Sequence, residues 1–362
     1  MVYIEIQPAG TALTESQAKT LDDEFFLARP LNYFNARISE LLHAADEPET
    51  RTNAAVSEFA LAAGINPSDT SLQFTEDEQR LQLAVDALSL RHHAAESLTR
   101  FLYAAVAAQP KPGDARCTWL AVEQSPTSII QVVDTTIAAL GDDNDKFLRA
   151  LYAPGTVLSQ EKCDYANSAV KWLNHASRLL TGNELSVNAG HNKVKHGLAL
   201  STRGDIRIDF IEADEISNGE IPLSAFATSK SAPLFDRPFL TYLNRPHPSK
   251  SSGLELTSLR VDMPIVLAEA WMMANVFSSL FNAAAVRHFG DHQPEDLAPR
   301  PPAAALRSPA DVVGGAVLGY RQPVTDPPKG GTPRDAGLFF HGSFMPAQVD
   351  YGSRSSAVIS EG

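Results

Sequence analysis

The sequence predicts a mainly α fold, a helical bundle with a small antiparallel β insertion and a Pro/Gly-rich tail, and three observations carry that prediction. Long stretches repeat apolar residues at helical spacing, the period shortens to two past Thr202, and regular patterning stops after Phe289. At 362 residues with 44% hydrophobic and 20% charged side chains, the composition is that of a globular protein with a sizeable core. The reading divides the chain into a helical domain over residues 1–289, with the insertion at about 203–261, and a disordered tail over 290–362.

Taken in order, Val2 to Ile6 allows a short strand, and Leu31 to Ala45 and Asn53 to Ala63 have helical spacing, the latter ending at Gly64. The dominant helix starts at the Thr75 N-cap, whose TEDEQ sequence places acidic residues in the first turn. It runs to about Gln109, where Pro110 and Pro112 stop it. Further helices are expected at Thr127 to Leu140, Asp145 to Tyr152, Gln160 to Leu180 and Asn183 to Leu200, separated by GDDND, APG and TGN. Asp205 to Ile211 alternates polar and apolar residues as a half-buried strand does, with Phe239 to Leu243 and Leu254 to Val261 as weaker candidates. A last helix follows from Asp262 to Phe289. The tail then holds ten of the 24 prolines and ten of the 21 glycines, a composition that favours disorder, although DVVGGAVLGY and GLFFHGSF offer apolar patches for docking.

Charge narrows the partners. The net charge of −13 opposes a broad nucleic-acid surface, yet residues 160–210 carry seven basic side chains against five acidic ones. Cys117 and Cys163 stand alone without metal-ligand spacing, which fits free thiols in a reducing, cytoplasmic setting. MVYIEIQPAG has no basic segment followed by an apolar run, so no signal peptide is read there. Ile265 to Val286 is long enough to span a bilayer with Glu269 as its single charge. Asn275, Ser279 and Asn282 recur on one face, however, and mark a core helix rather than a membrane partner.

The candidate site centres on His191 to Gly197, HNKVKHG, which holds two imidazoles, an amide and two ammonium groups. On one helix Glu184, Asn188, Asn192 and His196 fall at steps of four and share a face. His196 can exchange a proton near neutrality, Asn192 can orient a substrate, and Lys193 and Lys195 can hold a phosphate as point charges. His191 and His196 lie about 140° apart around the helix, so they make poor joint metal ligands, and neither a metal nor a cofactor is expected. A second cluster, Arg91, His92 and Glu96, sits on the long helix and is read first as a structural polar network, His92 pairing with Glu96. Lys171, His175 and Arg178 are read as a solvated basic face.

The motif helix resembles the signature of HEPN superfamily proteins, compact helical bundles that often act as metal-independent ribonucleases. In that resemblance His191 takes the Arg position, Asn192 the polar position and His196 the His position, with four residues between. It spans about residues 75–200 and implies that His196 acts as general base on a ribose 2′-OH. Lys193 or Arg91 then stabilises the phosphoryl charge, in a site assembled where two protomers meet. The same helix, ending in KHG and running into a β hairpin, is also similar to a class of uncharacterised bacterial proteins. The leading expectation is a noncatalytic interaction or ligand-binding protein in which Asn188, Asn192 and His196 hydrogen-bond buried backbone where the helix meets the β insertion, with Asn188, His191, Lys195, His92 and Glu96 as binding residues. A metal-independent ribonuclease with RNA as substrate is the alternative, and a phosphate-bearing ligand and a homodimer are the expected partners.

Overall fold

The computed structural model describes residues 6–8, 10–46, 61–64, 75–141, 143–196, 199–204, 208–211, 231–235, 237–245, 253–302, 306–331 and 334–347. Helices comprise α1 (Glu15–Phe25), α2 (Pro30–Asp46), α3 (Glu76–Val106), α4 (Thr118–Glu123), α5 (Ile129–Leu140), α6 (Asn144–Leu151), α7 (Gln160–Thr181), α8 (Val187–Lys195), α9 (Met263–Phe289) and α10 (Pro309–Val313). Strands β1 (Ser201–Arg203), β4 (Phe239–Asn244), β5 (Glu255–Arg260), β6 (Gly319–Pro323), β7 (Gly337–Phe340) and β8 (Ser343–Pro346) form one antiparallel sheet in that spatial order. β2 (Ile208–Ile211) and β3 (Ser231–Phe235) pair separately as a hairpin.

The fold is mainly helical, as expected, with α3 at its centre. Thr75 and Glu78 close a reciprocal capping box that satisfies the first turn, and acidic Glu76, Asp77 and Glu78 oppose the positive end of the helix dipole. Alanine at 84, 87, 94 and 95 lets neighbours approach on several sides, while Leu98, Phe101 and Leu102 fill the gaps between them. Helix α9 packs along α3 and against α2, and α5 and α7 flank α3 elsewhere. Helix α9 is long and apolar enough to cross a membrane by length and composition, but 67% of its most apolar window is buried inside the protein. Its polar face is spent internally: the Tyr165 hydroxyl lies 2.8 Å from Asn275 Oδ1 and 2.6 Å from Ser279 Oγ, and Asn282 donates to the Ala298 carbonyl.

Three expectations are revised. The sheet is larger than an insertion, because residues 309–346, expected to be disordered, supply α10 and strands β6 to β8. Alternation explains the difference: Leu338 and Tyr320 bury themselves with Phe239 and Val317 on one face, while Leu240, Tyr242 and Leu259 join the helical core on the other. Strand β5, made just before α9, pairs with β6, made after it, with Leu259 opposite Gly319. Residues 348–362 lie outside the described residues, as do most of the expected strand at Val2 to Ile6 and most of the expected helix at Asn53 to Ala63.

The expected helix from Asn183 to Leu200 is also shorter, running only from Val187 to Lys195. Residues 183–186 stay outside it because long-range donors already occupy their carbonyls. Arg334 donates to Asn183 at 2.7 Å, Arg321 to Glu184 at 3.0 Å, and the Tyr242 hydroxyl to Leu185 at 2.6 Å. Ser186 turns the chain with a left-handed φ of 49° immediately before the helix. Finally, the row Lys171, His175, Arg178 is not a solvated face, because His175 is buried.

Candidate functional site

The short α8 decides which motif residues can act. Gly190 is buried against β4, where a Cβ would come within 2.8 Å of the Tyr242 ring, so this face of α8 points inward. His191 follows it toward α3. Asn192 and His196 consequently face solvent, and His196 is the C-cap, its backbone N–H bonded to the Asn192 carbonyl. Glu184 precedes the helix, so the expected four-residue polar stripe does not form. Asn188 and Lys193 are partly exposed, and Gly197 lies outside the described residues.

His191, set aside by the helical geometry, packs its ring on α3. Its ring stacks on His92 with centroids 3.8 Å apart and planes inclined by 19°. Burial pushes the His92 imidazole down to about 2, reinforced by repulsion from His191, Lys195 and Arg91. Burial likewise holds His191 at about 4, with Lys195 adding repulsion and Glu96 partly offsetting it. Both rings are therefore neutral at pH 7, which is what allows face-to-face contact. The Nδ1 atoms of both are buried without a hydrogen-bond partner among the described residues.

Glu96 joins the two helices by charge. Its Oε1 accepts from Arg100 Nε at 2.8 Å, and its Oε2 lies 3.9 Å from both Lys195 Nζ and His92 Nε2. The expected pairing of His92 with Glu96 is thus loose, and Arg100 is the closer partner. These groups rim a cleft of about 660 Å³ between α2, α3, α8 and α9. Phe25, Phe277 and Phe281 line its apolar side, and Tyr33, His93, Arg100 and Lys195 its polar side. The Tyr33 and His93 rings meet edge to face at 5.4 Å.

Arg91 turns the other way. Its Nη1 donates to Glu269 Oε2 at 2.8 Å, and Glu269 Oε1 lies 2.6 Å from His175 Nε2. Burial opposes ionisation of Glu269, but the Arg91 charge and the His175 hydrogen bond outweigh it and hold the carboxyl down at about 2. A carboxylate enclosed this completely persists only because a cation and a ring N–H satisfy it. Arg91 is therefore committed to α9 and separated in role from the motif helix, contrary to the expectation that it would serve His196.

Sequence reasoning missed Glu269 and His175. The signal was present in the lone acidic residue of an otherwise apolar 22-residue run, since a single buried charge requires a partner. Comparison with protein-family models, curated proteins and solved structures finds no match to this chain.

Proposed function

We propose that this is a noncatalytic ligand-binding protein whose cleft between α2, α3, α8 and α9 takes a phosphate-bearing small molecule with a planar apolar part. The observation that carries this reading is the cleft itself, whose lining brings the rings of Phe25, Tyr33, Phe277 and Phe281 together with the cations Arg100 and Lys195 within one 660 Å³ space. That volume lies within the range of about 300–1,000 Å³ typical of small-molecule sites. Lys195 is half-exposed and only loosely paired with Glu96, so its ammonium is available to a phosphate. The neutral His92–His191 stack supports the wall from behind, fixing α8 against α3.

Titrating the full chain with a fluorescent adenine mononucleotide tests the reading. Saturable binding is expected, weakened about tenfold by Lys195→Ala, the effect of losing one charge-assisted hydrogen bond. No saturation, or equal affinity in the variant, would overturn it. The ribonuclease alternative draws less support, since Arg91 is held by Glu269 and does not serve His196. Its arm of the test is incubation with mixed RNA in EDTA: cleavage lost in His196→Ala would favour a catalytic homodimer over the binding protein.

A further inference from the structure

The Arg91–Glu269–His175 chain ends at a second cavity, of about 280 Å³, between the α7–α8 junction and the β7–β8 hairpin. His175 lines it, though the residue is 92% buried, its exposure being 8%. Its Nε2 is engaged by Glu269 at 2.6 Å. Across the cavity stands His341, with ring centroids 5.9 Å apart. His341 occupies the two-residue turn that joins Phe340 to Ser343, and Gly342 completes the turn at a φ of 85° that other residues rarely adopt, so the imidazole is presented from a fixed loop. Arg178 lines the same end. Leu179, Val187, Leu318, Phe339 and Phe344 make the remainder apolar.

We propose that this cavity is a second small-molecule site, separate from the cleft, which takes a small monocarboxylate with an apolar or aromatic body, its carboxylate held by His341 and Arg178 beside the His175 ring. The size, just below the range of about 300–1,000 Å³ for drug-sized ligands, admits only a small molecule. The charges select its sign. Glu269 is already neutralised by Arg91 behind the His175 ring, leaving Arg178 and two imidazoles at one end, with Glu184 as the further acidic residue lining the cavity. Burial and repulsion from His175 and Arg178 hold His341 below the ordinary imidazole value, against the attraction of Glu269. An anion between the rings relieves that repulsion and favours protonated His341, so binding takes up a proton and strengthens as pH falls. The buried Glu269 carboxylate accepts the His175 Nε2–H and fixes the ring from behind, so that His175 shapes that end of the cavity.

Calorimetric titration of the full chain with phenylacetate, with phenylacetamide as its uncharged counterpart, tests the assignment. Phenylacetate is expected to bind one to one at about pH 6, more weakly at about pH 8, with an observed enthalpy that varies with the ionisation heat of the buffer as proton uptake requires. His341→Ala should weaken it about tenfold or more, as loss of a charge-assisted hydrogen bond does, while Lys195→Ala leaves it unchanged. Phenylacetate should also shift the His175 Nδ1 resonance in ¹⁵N spectra of the wild-type chain. Equal binding of phenylacetamide, an unchanged affinity in His341→Ala, or no saturation at millimolar concentration would overturn the proposal. Loss of phenylacetate binding in Lys195→Ala would do the same by moving the ligand to the cleft. Failure of the nucleotide titration leaves these outcomes untouched.

Discussion

At the scale of single residues, burial rather than motif membership determines what each histidine does. His92 and His191 are held neutral against protonation, which ties stability to pH. Their folded values, about 2 and about 4, lie below the ordinary 6.5, so the unfolded chain takes up protons first. Their stabilisation is complete above 6.5 and is lost as pH falls, for His191 down to about 4 and for His92 further. Glu269, lowered from 4.5 to about 2, adds a second loss over that lower window. Thermal melting should therefore show a transition temperature that starts to fall below about pH 6.5. One buried ring such as His92 contributes up to about 1.4 kcal/mol per pH unit. His191→Asn should flatten the decline between 6.5 and 4, and a profile flat across that window in the wild-type chain would contradict the neutral stack. The polar cluster Arg91, His92, Glu96 was legible from spacing alone. Its partners were not, because Glu269 lies 178 residues from Arg91 and 94 from His175, and no local period records such a pairing.

At the scale of elements, α8 shows how tertiary contacts truncate a helix that local pattern extends. Helical spacing runs from Asn183 to Leu200, but Arg321, Arg334 and Tyr242 compete for the first carbonyls and Ser186 breaks the backbone. The resulting rotation exchanges the roles of His191 and His196. Gly190 is the contact that fixes this orientation. Gly190→Ala should push the Tyr242 ring or α8 outward, costing about 1–3 kcal/mol as overpacking does, despite the better helix propensity of alanine. Lowered thermal stability with altered His92 and His191 ring resonances would register both effects; a more stable variant would show that α8 is not clamped there. By contrast α3, α5, α6 and α7 follow their sequence signals closely. Their caps at Thr75, Ser128, Asp143 and Ser159 are local, and local signals survive folding.

At the scale of the whole molecule, the tail supplies a helix and three strands between residues 309 and 346. Its proline and glycine content suggested disorder, yet prolines at the start of α10 and at the ends of β6 and β8 occupy positions where the missing N–H or fixed φ is tolerated. Composition counts such residues without recording where in an element they fall. A chain ending at Arg307 should leave β5 as an open edge beside exposed Leu259 and Val261, so aggregation or loss of a sharp elution peak in size-exclusion chromatography is expected. A stable monomer of that length would show the sheet to be complete at β5. The pairing of β5 with β6 also imposes an order on synthesis. When α9 has emerged from the ribosome, the helices around α3 have all been made, but the strand that must cover β5 has not. The wall of the second cavity that carries His341 emerges later still, so His175 waits with one side of its surroundings unbuilt. Assembly of that corner follows the synthesis of β8, and agents that act on the nascent chain before then meet an unfinished sheet edge rather than a completed sheet.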